Sequence, residues 1–512
     1  MSFFAKFRFG ASTRSIRRRS KRMAAPAKRR LGFSGGGAIG MELLEMRGML
    51  SGIPVTVDCS GATGPCTIDV GTSGSNTVIS VNGTDVFDGA STSIGSLSIT
   101  GSNYNDTISF DFTAGNPVPD ADVSVNGGGG TNTLTADASQ TFYLLANDLL
   151  VGSTSIQTQN VTDAVLTAAG TSQSTTVQGW VGNATVDLAS SSDSVTLWAL
   201  SGSTTNGFTA YPTTSLLSGT NYSYTTNGVG TISANGNGNS DLVELLDQGA
   251  TNTTVFMSAL VGSSMQGTVN GESYTVNAYG FPGVEAVSYS STDSAELDDN
   301  GFGGSDTGSM NPTDSYIYGH GFSDTALDFP VVNMYAYYNS DGVGLNDSGT
   351  SGNGYTHATS ASFQGPGYDN TAHNFGTMTL ASYNSSDTAY MDDQGASGAS
   401  NFYSNNGNSY WQGSAPSGSY IANAIGFKTI YSEAYNANDY AWYTDTAGGA
   451  YMEGYQGIDM IYGNGTSVHT VNFGSAGNPH ISANAALPPG QYDVAQSLLK
   501  SYVVFYGNWI FE

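Results

Sequence analysis

From Ile53 onward, apolar and polar residues alternate in short runs such as "VTVD", "NTVISVNGTDVFDG", "SLSIT", "DTISFDF" and "NTLTAD", separated by Gly, Asn and Asp. A period of two, with Val, Ile, Thr and Phe in the runs, predicts half-buried β-strands. Asn82-Gly83 is a hairpin-turn dipeptide. No window of about 18 apolar residues occurs, so no transmembrane helix is predicted. Helical patterning is confined to residues 38–50 and the last twenty residues.

A second, longer pattern lies over the first. The stretch "YNSSDTAYMDDQG" at Tyr383 has near-copies at Tyr289, Tyr338 and Tyr435 and fainter ones at Asn237 and Ser190. With the first Asp as anchor, the copies align at Asp193, Asp241, Asp293, Asp341, Asp387 and Asp439, at intervals of 48, 52, 48, 46 and 52 residues. Offset two holds Val or Ala, and offset four holds Leu, Met or Tyr. Offset six holds Asp247, Asp299, Asp347, Asp393 and Asp445, with Ala199 as the exception. Offsets two and four share one face of a strand and supply core. The Asp residues at the strand's ends are placed to accept backbone N–H groups and start Asx turns.

Such units bury little alone and must stack. The period of about 48 residues accommodates two coils of a β-solenoid or the four strands of one propeller blade. Glycine-rich corners of variable length favour a right-handed parallel β-helix, with the propeller as the alternative. The expected divisions are a basic segment 1–51, a β module 52–150, a repeat solenoid 151–470 and a cap 471–512 that closes the open end.

Composition sharpens this picture. The 68 glycines and abundant small polar residues suit turn-dense β-structure, and an apolar fraction of 38% is enough for a core, which sets disorder aside. Charge is divided along the chain. Residues 1–50 carry 12 of the 14 Lys and Arg against two acids, whereas residues 51–512 carry Lys428 and Lys500 against 39 acids. A body with two cations cannot neutralise a phosphate backbone, so no nucleic-acid partner is expected. Divalent cations are its natural counter-ions. Cys59 and Cys66, in "DCSGATGPCTID", lack the spacing of a zinc half-site or redox pair. They are candidates for a small disulfide in an oxidising compartment, with two unpaired thiols as the alternative.

In the basic segment, "GGGAIG" (Gly35 to Gly40) matches a dinucleotide fingerprint, but no strand precedes it and no βαβ unit surrounds it. The following run, Leu44-Glu45-Met46-Arg47-Gly48-Met49-Leu50-Ser51, resembles the L-E-x-R-x-(L/M)-L-S box near the start of many large exported planctomycete proteins. Residues 101–137 are similar to the first ordered module of that family, through Asn105-Asp106-Thr107-Ile108, Gly115-Asn116-Pro117 and Gly127 to Gly130. The 48-residue units resemble its surface repeats. The resemblance implies that residues 1–51 are a targeting segment and that the protein is extracellular or at the cell surface. It carries no defined activity.

Candidate chemistry is sparse. "GGGGTNTLT" approaches the calcium-binding nonapeptide but has Asn132 where a ligand Asp belongs, and it occurs once. The five histidines (His320, His357, His373, His469 and His480) share no metal-ligand spacing and read as surface or turn residues. The Asp columns are candidates for Ca²⁺, which takes six to eight oxygens. The candidate ligands are Asp241, Asp247, Asp293, Asp299, Asp341, Asp347, Asp387, Asp393, Asp439 and Asp445. Two coils per unit would place equivalent residues about 10 Å apart, with solvated turn-forming Asp as the plainer expectation.

Twenty-five of the 30 tyrosines follow residue 255, where exposed rows would suit sugar rings and inward ones would fill a core. The expectation is an exported, acidic, non-catalytic repeat protein with a structural or adhesive role at a surface or matrix. The alternatives are a secreted polysaccharide-binding or -degrading β-helix and a calcium-dependent adhesion module.

Overall fold

The computed structural model describes residues 52–511 except 120, 239, 260–261, 300–303, 350, 406–407, 437 and several short stretches between 446 and 502. The basic segment, its glycine run and the helical pattern at 38–50 lie outside the described residues. Among the described residues the chain forms two long sheets, of 24 and 23 strands, and one short 3₁₀ turn at Ser91–Ser93. The first sheet ends at Ile53–Asp58 and Trp509–Phe511, and the second at Thr84–Ala90 and Val503–Gly507. Both are open and mostly parallel. This is a β-solenoid flattened into two facing sheets, not the set of separate antiparallel blades that a propeller requires.

Within the repeats the path is regular. Asp241 precedes the strand Leu242–Leu246 in the second sheet. The chain then crosses to the first sheet and forms an antiparallel meander, Val255–Ser258, Ser263–Val269 and Glu272–Tyr279. It crosses back as Gly283–Val287, parallel to Leu242–Leu246. The next anchored strand, Ser294–Asp298, lies in the first sheet beside Val255–Ser258. Each unit therefore makes one and a half circuits, not the two expected, and successive anchors alternate between sheets.

The expected core positions are inside. Val243, Leu245, Ala295, Leu297, Val343, Leu345, Ala389 and Met391 are all buried. Period-two alternation turns offsets two and four between the sheets, where each Leu contributes about 1.5–3 kcal/mol of burial. The meanders add Phe256, Phe363, Phe402 and Trp411 to the same core. At the predicted hairpin, Asn82 and Gly83 have φ of 52° and 76° between strands paired Val81↔Thr84. Positive φ at both positions is what a two-residue primed turn requires.

The divisions expected at residues 150 and 470 fall inside continuous sheets. The cap is also different in kind. The last twenty residues hold Val503–Gly507 and Trp509–Phe511, strands that close one end of each sheet, where the pattern had suggested helix. Dense β-branched and aromatic content (Val503, Val504, Phe505, Tyr506) favours extended backbone at that position.

Candidate functional site

The corners between the sheets carry the chemistry of this molecule. Every anchor Asp is buried there, with Asp193, Asp241, Asp293, Asp341, Asp387 and Asp439 at most 1% exposed. The expectation of solvated turn residues fails at these positions. From Asp241 onward each anchor carboxylate accepts the backbone N–H of the residue just before the preceding unit's meander, while Asp193 accepts that of Gln173, before the strand Ser174–Gln178. The donors are Asn206 to Asp241 (2.9 Å), Thr254 to Asp293 (2.7 Å), Asp306 to Asp341 (2.9 Å), Gly352 to Asp387 (2.8 Å) and Ser400 to Asp439 (2.7 Å). The second oxygen is held locally, by Ser288 and Ser382 hydroxyls at Asp293 and Asp387 and by Tyr338 and Asn436 N–H groups at Asp341 and Asp439. The anchor closes its own turn and ties it to the previous unit.

The Asp at offset six makes a second tie. Asp247, Asp299, Asp347 and Asp393 accept the backbone N–H of Tyr289, Tyr337, Tyr383 and Tyr435, the tyrosines that open the following copies. Tyr337 takes this role one residue before the Tyr338 suggested by the motif. Because a unit makes one and a half circuits, the offset-six Asp of one unit arrives at the same corner as the anchor of the next. Four carboxylate pairs result: Asp247 with Asp293, Asp299 with Asp341, Asp347 with Asp387, and Asp393 with Asp439. In the unit before Asp241 the offset-six residue is Ala199, and Asp241 receives the Asn206 side-chain amide in addition. The side chain of Asp445 lies outside the described residues.

Two buried carboxylates in contact cannot both ionise cheaply. Burial, reinforced by the hydrogen bond and charge of Asp293, pushes Asp247 up to about 7. Burial, with Asp341 and Asp306 adding to it, pushes Asp299 up to about 7. Asp387 and Asp439 rise to about 6, again chiefly through burial and with Asp347 and Asp393 as the respective partners. At three corners the outer oxygens, Asp247 Oδ2, Asp299 Oδ1 and Asp393 Oδ2, are buried without a hydrogen-bond donor. A proton shared within the pair, or a cation, is the chemistry such an arrangement accepts.

One corner differs from the rest. Asp306, outside the repeat motif and not singled out in the sequence, is 1% exposed and adds a third carboxylate beside Asp299 and Asp341. One oxygen from each lies within 4.8 Å of the others. Both Asp306 oxygens are buried without a well-formed hydrogen bond. Burial and the Asp341 charge push this carboxyl up, and the backbone N–H and charge of His320 oppose the shift.

Other buried acids lie outside the repeat columns. Asp106, in the Asn105-Asp106-Thr107-Ile108 stretch, accepts the Cys66 N–H and the Ser102 hydroxyl and plays the anchor role ahead of the repeats. Asp324 points into the core and accepts the Ser258 hydroxyl from the opposite sheet, with burial pushing it up to about 6. Asn132 occupies a corner as well, its amide oxygen accepting the Asp106 N–H at 2.9 Å and its NH2 donating to the Gly129 and Asn160 carbonyls at 3.0 and 2.9 Å, donations that the Asp of the nonapeptide could not make. Cys59 and Cys66 are buried free thiols side by side, and burial together with Cys66 pushes Cys59 up to about 12.

Among the described tyrosines, twelve are exposed, seven half-buried and six buried, so they serve the surface and the core alike. They form two kinds of surface. Tyr355, Tyr390, Tyr431 and His469 stack as a ladder across four neighbouring strands, with centroids 5.1, 5.2 and 4.5 Å apart. Their faces are spent on one another and their edges meet solvent. The corner residues Tyr289, Tyr337, Tyr383 and Tyr435 are instead 57–73% exposed. His357, in the turn after Asn353–Thr356, pairs with Asp392 at 2.6 Å, and that hydrogen bond raises its pKa. Compared with known protein families and with curated proteins, the chain matches none of them.

Proposed function

We propose that this protein is an exported, non-catalytic structural or adhesive component of a cell surface or extracellular matrix. The observation that carries the reading is the repetition of the acid pairs. The close carboxylate pairs, which a glycoside hydrolase would need in an open cleft, recur in register at corner after corner and are walled off from solvent. Their hydrogen bonds run to backbone N–H groups of neighbouring units, so their role is to lock one unit to the next. An acidic surface and a coil of right-handed sense complete the proposal. Among the described residues no helix is long and apolar enough to cross a membrane.

Fractionation of the source cells tests this reading. Recovery in the envelope or medium, with residues 1–51 removed, is the expected result. Retention in the cytosol at full length would overturn it.

A second reading, polysaccharide binding, is favoured by the corner tyrosines. Rings exposed by 57–73% suit stacking on pyranose faces better than the mutually stacked ladder does, although Tyr337 packs edge-to-face against Tyr338. Affinity electrophoresis of the full chain in neutral polysaccharides, compared with the Tyr383→Ala and Tyr435→Ala variants, tests it. Retardation that both substitutions weaken supports it, and unretarded migration in every glycan removes it.

A further inference from the structure

We infer that Asp299, Asp306 and Asp341 form one divalent-cation site, of the Ca²⁺ class, built into a single corner of the solenoid. Three features of that corner converge. The first is geometric. One oxygen from each carboxylate lies within 4.8 Å of the others. Oxygens at 2.3–2.6 Å from a common Ca²⁺ are at most about 5 Å apart. The second is the unmet demand of the oxygens. Asp306 is 1% exposed and neither of its oxygens has a well-formed hydrogen bond, and Asp299 Oδ1 is likewise buried without a donor. An acceptor left in that state costs about 1–3 kcal/mol, and more when charged.

The third feature is a paired substitution visible only once the units are superposed. The residue before each meander is Asn206, Thr254, Asp306, Gly352 and Ser400 in turn. The residue opposite it on the meander's last strand is Tyr222, Tyr274, Phe322, Tyr368 and Tyr420. Where the first residue is Asn206, Thr254 or Ser400, its side chain bonds the tyrosine hydroxyl, at 2.5, 3.2 and 3.0 Å. Only in the Asp306 unit does the tyrosine become phenylalanine, so the acid arrives where the hydroxyl is gone. The site is fitted closely to the carboxylate, since a Cβ at Gly319 would stand 1.9 Å from Asp306 Oδ1.

A carboxylate that had simply replaced Ser or Thr would have kept the tyrosine as its donor. Losing the donor while gaining the charge is what a cation would select. Mg²⁺ demands small octahedral geometry and retains its waters, and a buried set of protein oxygens suits the larger, more adaptable Ca²⁺. The titratable groups facing the cluster are its own three carboxyls and His320.

The test is calorimetric titration of the chelator-stripped full-length chain with CaCl₂ above neutral pH, together with thermal melts. The expected result is one Ca²⁺ per chain and a melting temperature that rises with Ca²⁺. Asp306→Ser combined with Phe322→Tyr recreates the Ser400–Tyr420 arrangement and should fold yet lose the binding. Asp306→Asn, nearly isosteric, provides the same loss if the double variant does not fold. No binding by the full chain, equal binding of Mg²⁺, or undiminished Ca²⁺ binding in these variants would each overturn the assignment.

Discussion

Two corners on the same edge of the solenoid invite comparison. At one, Asp393 meets Asp439, and the Ser400 hydroxyl between them is bonded to Tyr420 at 3.0 Å. At the other, Asp299 meets Asp341, with Asp306 and Phe322 in the places of Ser400 and Tyr420. The backbone ties are the same, through the Tyr435 and Tyr337 N–H groups and the N–H groups of Ser400 and Asp306. At the first corner the Ser400 and Tyr420 hydroxyls satisfy each other, and one carboxylate oxygen, Asp393 Oδ2, is left without a donor. The second adds a third buried carboxylate and lacks the tyrosine hydroxyl, so three oxygens, Asp299 Oδ1 and both of Asp306, are left without one, which is the deficit the proposed cation would fill. The pair is thus a generic locking device, and a two-residue change converts it to a candidate ion site.

The largest expected effect comes from breaking what the corners share. Asp439→Ala would strip the acceptor from the buried Ser400 N–H and the half-buried Asn436 N–H, and Asp341→Ala would do the same to the buried Asp306 and half-buried Tyr338 N–H groups. Each orphaned buried donor costs about 1–3 kcal/mol, so urea unfolding should show a loss of about 2–5 kcal/mol in either variant. A loss under about 1 kcal/mol would mean that the anchors are not structural.

Next is pH. The raised carboxyls bind protons more tightly in the folded state than in the unfolded chain, where the ordinary value of 3.8 applies. Their protonated forms therefore favour the fold. In chelator, the melting temperature should be highest near pH 4 and should fall as pH rises through about 6 (Asp387, Asp439) and about 7 (Asp247, Asp299). Asp247→Asn should flatten the upper part of that decline, and an unchanged profile would refute the paired-proton account.

Smaller still is Phe322→Tyr. In chelator, the restored hydroxyl gives Asp306 a donor worth about 1 kcal/mol, whereas in saturating Ca²⁺ the gain should vanish or reverse. Melts in the two buffers decide it, and equal effects in both would erase the distinction between the corners. The smallest effect is Tyr383→Ala. That side chain is 73% exposed, so stability should move by no more than about 0.5 kcal/mol by chemical denaturation.

The sequence by itself determined a great deal along the strands. Alternation placed Leu245, Leu297 and Leu345 inside, and Asn82-Gly83 announced its hairpin, because strand periodicity and turn conformation are local properties. It also singled out the acids at both ends of each repeat strand, since Asp is a natural turn initiator. Which acids meet was decided only by tertiary structure. Asp247 pairs with Asp293 across 46 residues because a unit closes after one and a half circuits, a number set by an inserted meander that the motif does not mark. The same geometry buried carboxylates that a turn-based reading leaves in water. It also brought Asp306, which follows its anchor at an unremarkable distance, against Asp299 and Asp341. Burial and contact between charges depend on where the chain returns, and that is a property of the stacked coil rather than of any segment within it.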